Sequence, residues 1–476
     1  MEFSRRHFLT CAGASVGGLL LRERGYAAAL DLLQATQPAP IKLQAVTRTL
    51  EINGKSASVL GLLQPNGTQG LEWVVNRLFR VVLENKLTEP TAIHWHGLYP
   101  PNNEDGVPGV TQPVIRPNES SFYNFPVIPA GTHWMHSHEG LQEAQLLSAP
   151  LIVHDSADQS ADVQQVIVFF GDFSFTPPKE IYAQLRAPKK AMAMGGQMPS
   201  KPDANDVNYD AYLANDRTLD DPAVVRVEKS GRVRLRIING SSGTNYFVDL
   251  GSLTGELIAT DGLPVKPIRA SRFPLAIAQR IDVMVQIPAV GGAFPILALR
   301  EGSREQTGIF LTTTGASIKR LPVKGASPTG LLTLDQESQL SAVTPLTPKA
   351  VDQTSVLRLQ GNMAKYQWMI NDIVFNVNNP AAEKSQVQVK MGQRVALKFV
   401  NETPMSHPMH LHGHAFEVIE TNGRPLQGAM RDTILVPGNA TVTVAFDANN
   451  PGLWFVHCHI IWHLEAGMAA LVKYEA

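Results

Sequence analysis

Eight of the fourteen histidines in this 476-residue chain form four His-x-His pairs: His94/His96, His136/His138, His410/His412 and His457/His459. Neutral imidazole is a common metal ligand, and residues i and i+2 of a strand project to the same face. Each pair can therefore aim two nitrogens at one point. A single pair of this kind is ordinarily structural. Four pairs, with no histidine at all between His154 and His407, point to a metal site assembled from the two ends of the chain. Eight imidazoles suffice for about three ions at two or three ligands each, with positions left open for a small molecule such as oxygen.

Cys458 stands between His457 and His459. On a strand it faces the side opposite to theirs, so its thiolate can serve a second metal. His407 and His463 are available to complete that site. A His₂Cys set with a weak thioether, for which Met468 is placed, is a blue-copper electron-transfer arrangement.

The elements that must position these side chains are strands. Apolar residues alternate through "RVRLRIIN" (232–239) and "TVTVAF" (441–446), loops are rich in Gly, Pro, Asn and Asp, and helical periodicity is scarce, which predicts an all-β chain. The pattern R-V-x-L recurs at Arg80, Arg232 and Arg394, each time followed by an asparagine, Asn85, Asn239 and Asn401. Nine residues beyond each asparagine lie His94, Val248 and His410. Gly131 and Gly452 each precede a further pair by five residues. Three copies of one unit follow, the first and third carrying the histidines and the second a wall without them.

Charge is nearly balanced, 41 Lys+Arg against 42 Asp+Glu, which gives no field favouring nucleic acid or an anionic membrane. The segment "SRRHFLT" before the apolar run "AGASVGGLLL" resembles a twin-arginine export signal, with a cleavage region near Ala29. That run is too short for a membrane span in the mature chain. Cys11 leaves with such a signal, so Cys458 is the single cysteine of the mature chain and cannot form a disulfide within it.

The stretches "HWHG" (94–97), "HWMHSH" (133–138), "HPMHLHGH" (407–414) and "HCHIIWHLEAGM" (457–468) resemble the copper motifs of the multicopper oxidases, in particular the three-domain laccase type. The resemblance implies three consecutive cupredoxin-like Greek-key β-barrels: 30–157, 158–312 and 350–476, after a signal at 1–29 and with a linker at 313–349. It implies four copper ions. His407, Cys458 and His463 would hold type 1 copper with Met468 axial; His94 and His410, type 2; His96, His136, His138, His412, His457 and His459, the type 3 pair. Electrons would pass from a one-electron donor through Cys458 to His457 and His459, and oxygen would be reduced to water.

Asp105, eleven residues after His94, matches an acidic position that the family associates with proton supply, and Glu465 is a second candidate. Leu464 stands where some bacterial relatives have an acid. His414 and His133 are expected to have structural roles and not to be ligands. The expected partners are O2, a small reducing substrate and the twin-arginine machinery, with no nucleic acid and no membrane. A periplasmic or secreted location follows. A phenolic donor is the first reading; Cu(I), for which Met192, Met194 and Met198 offer soft ligands, is the alternative, and copper buffering without turnover is a third.

Overall fold

The computed structural model describes residues 39–187, 204–380 and 387–475. The signal-like segment and Met192, Met194 and Met198 lie outside the described residues. The described chain is built on strands arranged in six sheets, two for each copy of the repeated unit. Its helices are short, such as Ser156–Ser160, Pro178–Arg186 and Ile461–Glu465. Among the described residues no helix is long and apolar enough to cross a membrane.

Each R-V-x-L tract lies in a strand that ends on the repeated asparagine: Leu78–Asn85, Arg232–Asn239 and Arg394–Asn401. In the first, alternation buries Phe79, Val81 and Leu83 on one face. The asparagine explains the shared spacing. The Asn85 amide donates to the carbonyls of Glu89 and Ile115 while its oxygen accepts from Leu87 N. Asn239 does the same with Thr244, Leu275 and Ser241, and Asn401 with Met405, Val436 and Thr403. A buried side chain thus satisfies two backbone groups of the loop that leads to the next strand and ties that loop to a third, about 30 residues further on. On that strand, nine residues on, stand His94, Val248 and His410.

Closure is also shared. The short strands Leu71–Val74, Val224–Arg226 and Val387–Val389 each pair in parallel with the last strand of their own copy: Ser148–His154, Gln306–Thr312 and Ala469–Tyr474. Neighbours in space that are distant in sequence are the mark of a Greek-key path.

The histidine pairs depart from the expectation that both members ride on strands. His94, His136, His410 and His457 do, on Ile93–His94, Gly131–Ser137, His407–Leu411 and Leu453–Cys458. His96, His138, His412 and His459 lie just past the strand ends. After His96 and His412 the chain turns at Gly97 and Gly413, with φ of 93° and 66°, a conformation glycine adopts without strain. Register sets His94 opposite His136 and His410 opposite His457.

Buried ion pairs join the copies. Arg236, fully buried, contacts Thr132 of the first copy, Asp158 and Asp282. Arg431 of the third copy pairs with Asp261 of the second and with Glu337 in the connecting segment.

Candidate metal centre

The first and third copies bring their four histidine pairs to one buried place. His94 Nε2 lies 3.4 Å from His410 Nε2 across 316 residues of chain. His412 Nε2 lies 3.1 Å from His457 Nε2, His459 Nε2 3.3 Å from His136 Nε2, and His96 Nδ1 3.4 Å from that same His136 atom. His138 completes the group, its ring centre 4.9 Å from that of His412 and 5.2 Å from that of His457.

These contacts are not hydrogen bonds. His94 Nδ1 donates to the Asp105 carbonyl and His410 Nδ1 to the Asp432 carbonyl, each at 2.9 Å. His412 Nδ1 donates to Asp105 Oδ2 at 2.9 Å, His457 Nδ1 to the Cys458 carbonyl at 3.0 Å, and His136 Nδ1 to Glu143 Oε2 at 2.7 Å. A neutral imidazole has one proton, so Nε2 of His94 and of His410, and Nε2 of His412 and of His457, present lone pairs to one another. A cation between them removes the repulsion. His138 Nε2 is buried and has no hydrogen-bond partner, a further free lone pair.

Burial keeps these rings neutral. It is the largest cause holding His96, His136, His138, His410, His412 and His459 well below the ordinary imidazole range, the neighbouring imidazoles adding to it. His457 is pushed down to about 3 by the same burial. Metal ligation needs this deprotonated form.

On the opposite face of Leu453–Cys458, Cys458 Sγ lies 3.7 Å from His407 Nδ1 and 3.6 Å from His463 Nδ1, and the two nitrogens are 3.2 Å apart. The centre of this triangle lies about 2 Å from each corner, a metal–ligand bond length. The other ring nitrogens are engaged: His407 Nε2 with Thr403 Oγ1 and His463 Nε2 with Asp206 Oδ2, both at 2.8 Å. Trp368 packs against His463 with ring centres 3.9 Å apart and planes inclined by 32°. Met468 is fully buried, and its carbonyl accepts from Cys458 N. Burial raises the Cys458 thiol pKa; a bound cation reverses this, because a coordinating thiol is deprotonated.

Of the acids expected from sequence, Asp105 stands inside the centre, bonded to His412 and in contact with His94. Glu465 lies farther out, on a cleft of 270 Å³ also lined by His138, Glu139, Glu143 and Leu464. Glu143, buried and seven residues after His136, was not singled out by motif; its one sequence signal is the position "HEGLQE" just after a ligand pair. Asp432, Thr433 and Asp206 were likewise silent in the sequence. His133 is buried, its Nε2 facing the Pro129 carbonyl at 3.1 Å. His414 bridges the His412 carbonyl and the Tyr474 hydroxyl.

Comparison with known proteins agrees with this geometry. Multicopper oxidase family profiles match residues 51–158, 164–321 and 348–476. The chain is 32% identical to the multicopper oxidase MmcO of Mycobacterium tuberculosis, over 99% of this chain and 97% of that protein. It is 26% identical to Laccase-3 of Botryotinia fuckeliana, over 85% of this chain and 99% of that one. The structure of Fet3p, a multicopper oxidase that functions in iron import, superposes with a TM-score of 0.77 at 18% identity, covering 91% of this chain and 90% of that one. The fold is three consecutive cupredoxin-like barrels. With copper as its cofactor and oxygen as its electron acceptor, the chain belongs to the multicopper oxidase family.

Proposed function

We propose that the protein holds four copper ions and oxidises phenolic donors, passing their electrons to oxygen. By the motifs, His407, Cys458, His463 and Met468 would hold type 1 copper, His94 and His410 type 2, and His96, His136, His138, His412, His457 and His459 the type 3 pair. The observation that carries it is the set of facing lone pairs between the first and third copies, with the Cys458 triangle on the back of the same strand. When bound, copper takes electrons singly from a donor and delivers four to oxygen, giving water.

The chain's own residues supply the rest. Cys458 is joined by a single peptide bond to His457 and to His459, so the covalent path between the two sites is short. The second nitrogen of His94, His96, His136, His410, His412, His457 and His463 is tied to a carbonyl or carboxylate and that of His407 to the Thr403 hydroxyl, which fixes tautomer and ring orientation. Asp105 accepts from His412 and touches His94, where it can pass protons toward the cluster, and Glu465 supplies protons at the outer cleft. We assign the domains as 30–157, 158–312 and 350–476, and place the mature protein in the periplasm or outside the cell after twin-arginine export of residues 1–29.

Cu(I) as donor is the second reading, for which Met192, Met194 and Met198 offer soft thioether ligands. The test is copper content, a blue absorbance, and oxygen consumption with a phenol against Cu(I). A blue protein faster with the phenol supports the first reading, and one faster with Cu(I) the second. Copper bound without oxygen uptake from either donor means a buffering protein.

A further inference from the structure

We propose that Arg280, from the middle domain that contributes no ligand, is the positioning residue of the histidine cluster: it fixes Asp432, and through Asp432 the rings of His96 and His410. The proposal rests on the ligand reading above. A guanidinium has five N–H donors in a rigid plane, and all five of Arg280 are used. Nε donates to the Thr132 carbonyl of the first domain at 3.1 Å. Nη1 donates to the Ala278 carbonyl at 3.2 Å and to Asp432 Oδ1 at 2.7 Å. Nη2 donates to the Asp261 carbonyl at 3.1 Å and to Asp432 Oδ2 at 2.5 Å. The side chain is fully buried and touches all three domains.

Asp432 passes this constraint on. Its Oδ1 accepts from His96 Nε2 at 3.1 Å and from Thr433 Oγ1 at 2.8 Å. The proton of His96 is thereby held on Nε2, and its Nδ1 lone pair is turned toward His136. The backbone carbonyl of the same residue accepts from His410 Nδ1 at 2.9 Å, which leaves His410 Nε2 facing His94. One aspartate thus orients a ligand from each end of the chain. Without Arg280 its carboxylate would be an unpaired buried charge, free to rotate or take a proton. The space is filled: a Cβ added at Gly97 would lie 2.5 Å from Arg280 Nη2 and 3.1 Å from Asp432 Oδ2.

A buried ion pair that only holds domains together makes a different prediction from one that aims ligands. The variants are Arg280→Met, Arg280→Lys and the double variant Arg280→Met with Asp432→Asn, which leaves no unpaired buried charge. The readouts are copper per chain, blue absorbance per chain, resistance of the copper to a chelator, and the melting midpoint of the copper-free protein. The expected result is that Arg280→Met keeps one copper and its blue band but retains the cluster copper about 10- to 100-fold more weakly. The double variant should recover the melting midpoint without recovering the cluster copper, and Arg280→Lys should recover part of both. The proposal is overturned if the double variant regains midpoint and cluster copper together, or if blue and cluster copper fall in parallel in every variant. A wild type that never holds cluster copper overturns the ligand reading itself, and this proposal with it.

Discussion

At the scale of single residues, the thiolate and the acids around the rings carry separable functions. Cys458→Ser should abolish the blue absorbance and lower the copper content by one, leaving the histidine cluster loaded, as metal analysis and an absorption spectrum will show. Asp105→Asn should keep the blue band and slow oxygen consumption about 10- to 100-fold, because two ligand rings lose their anionic partner at once. Glu143→Leu removes a buried carboxyl whose pKa burial already raises well above the ordinary range. Replacing it with an apolar side chain should let the cluster copper come off about tenfold more readily to a chelator, because the His136 ring loses its acceptor. The histidines that the fold brings together were legible because four His-x-His pairs in one chain are unusual. Glu143, Asp432 and Asp206 were not, since an acceptor for the far nitrogen of a ring is chosen by proximity in space; Asp206 is 257 residues from its histidine.

Among the elements, the strand that ends on an asparagine is the device used three times. Asn239→Ala in the middle copy removes the partner of three buried backbone groups. It should destabilise the protein by about 3 kcal/mol in urea unfolding, with the ligands themselves untouched. The repeat, its spacing and the all-β class could be read directly from R-V-x-L and the asparagine. The strand ends could not: period-two reasoning carried His96, His138, His412 and His459 onto strands, whereas tight turns and single cross-strand bonds such as His459 N to the Pro408 carbonyl hold them beyond. Which nitrogen of a ring points inward depends on that detail, and His96 presents Nδ1 where His94 presents Nε2.

For the whole molecule, the buried imidazoles set the response to acid. In the folded protein His96, His133, His136, His138, His407, His410, His412 and His459 lie well below the ordinary 6.5, His414 at about 4 and His457 at about 3, so below about pH 6.5 the unfolded chain binds more protons. Stability from this source is complete above that pH and is lost as pH falls toward the folded values. Copper-free protein should therefore show a urea midpoint that declines steadily from about pH 6.5 downward, each such histidine contributing up to about 1.4 kcal/mol per pH unit. The inter-domain charges were invisible in a composition near neutrality, for the arginines and aspartates that matter differ from surface ones only in burial. The contact of His94 with His410 also has a topological meaning: an ion held by both rings is a removable staple across a loop of 316 residues. Closing such a loop confines the unfolded chain by about 6 kcal/mol. A protease cut in the segment 313–349 should leave two fragments that travel together on a sizing column while copper is bound, and bind each other more weakly once it is chelated.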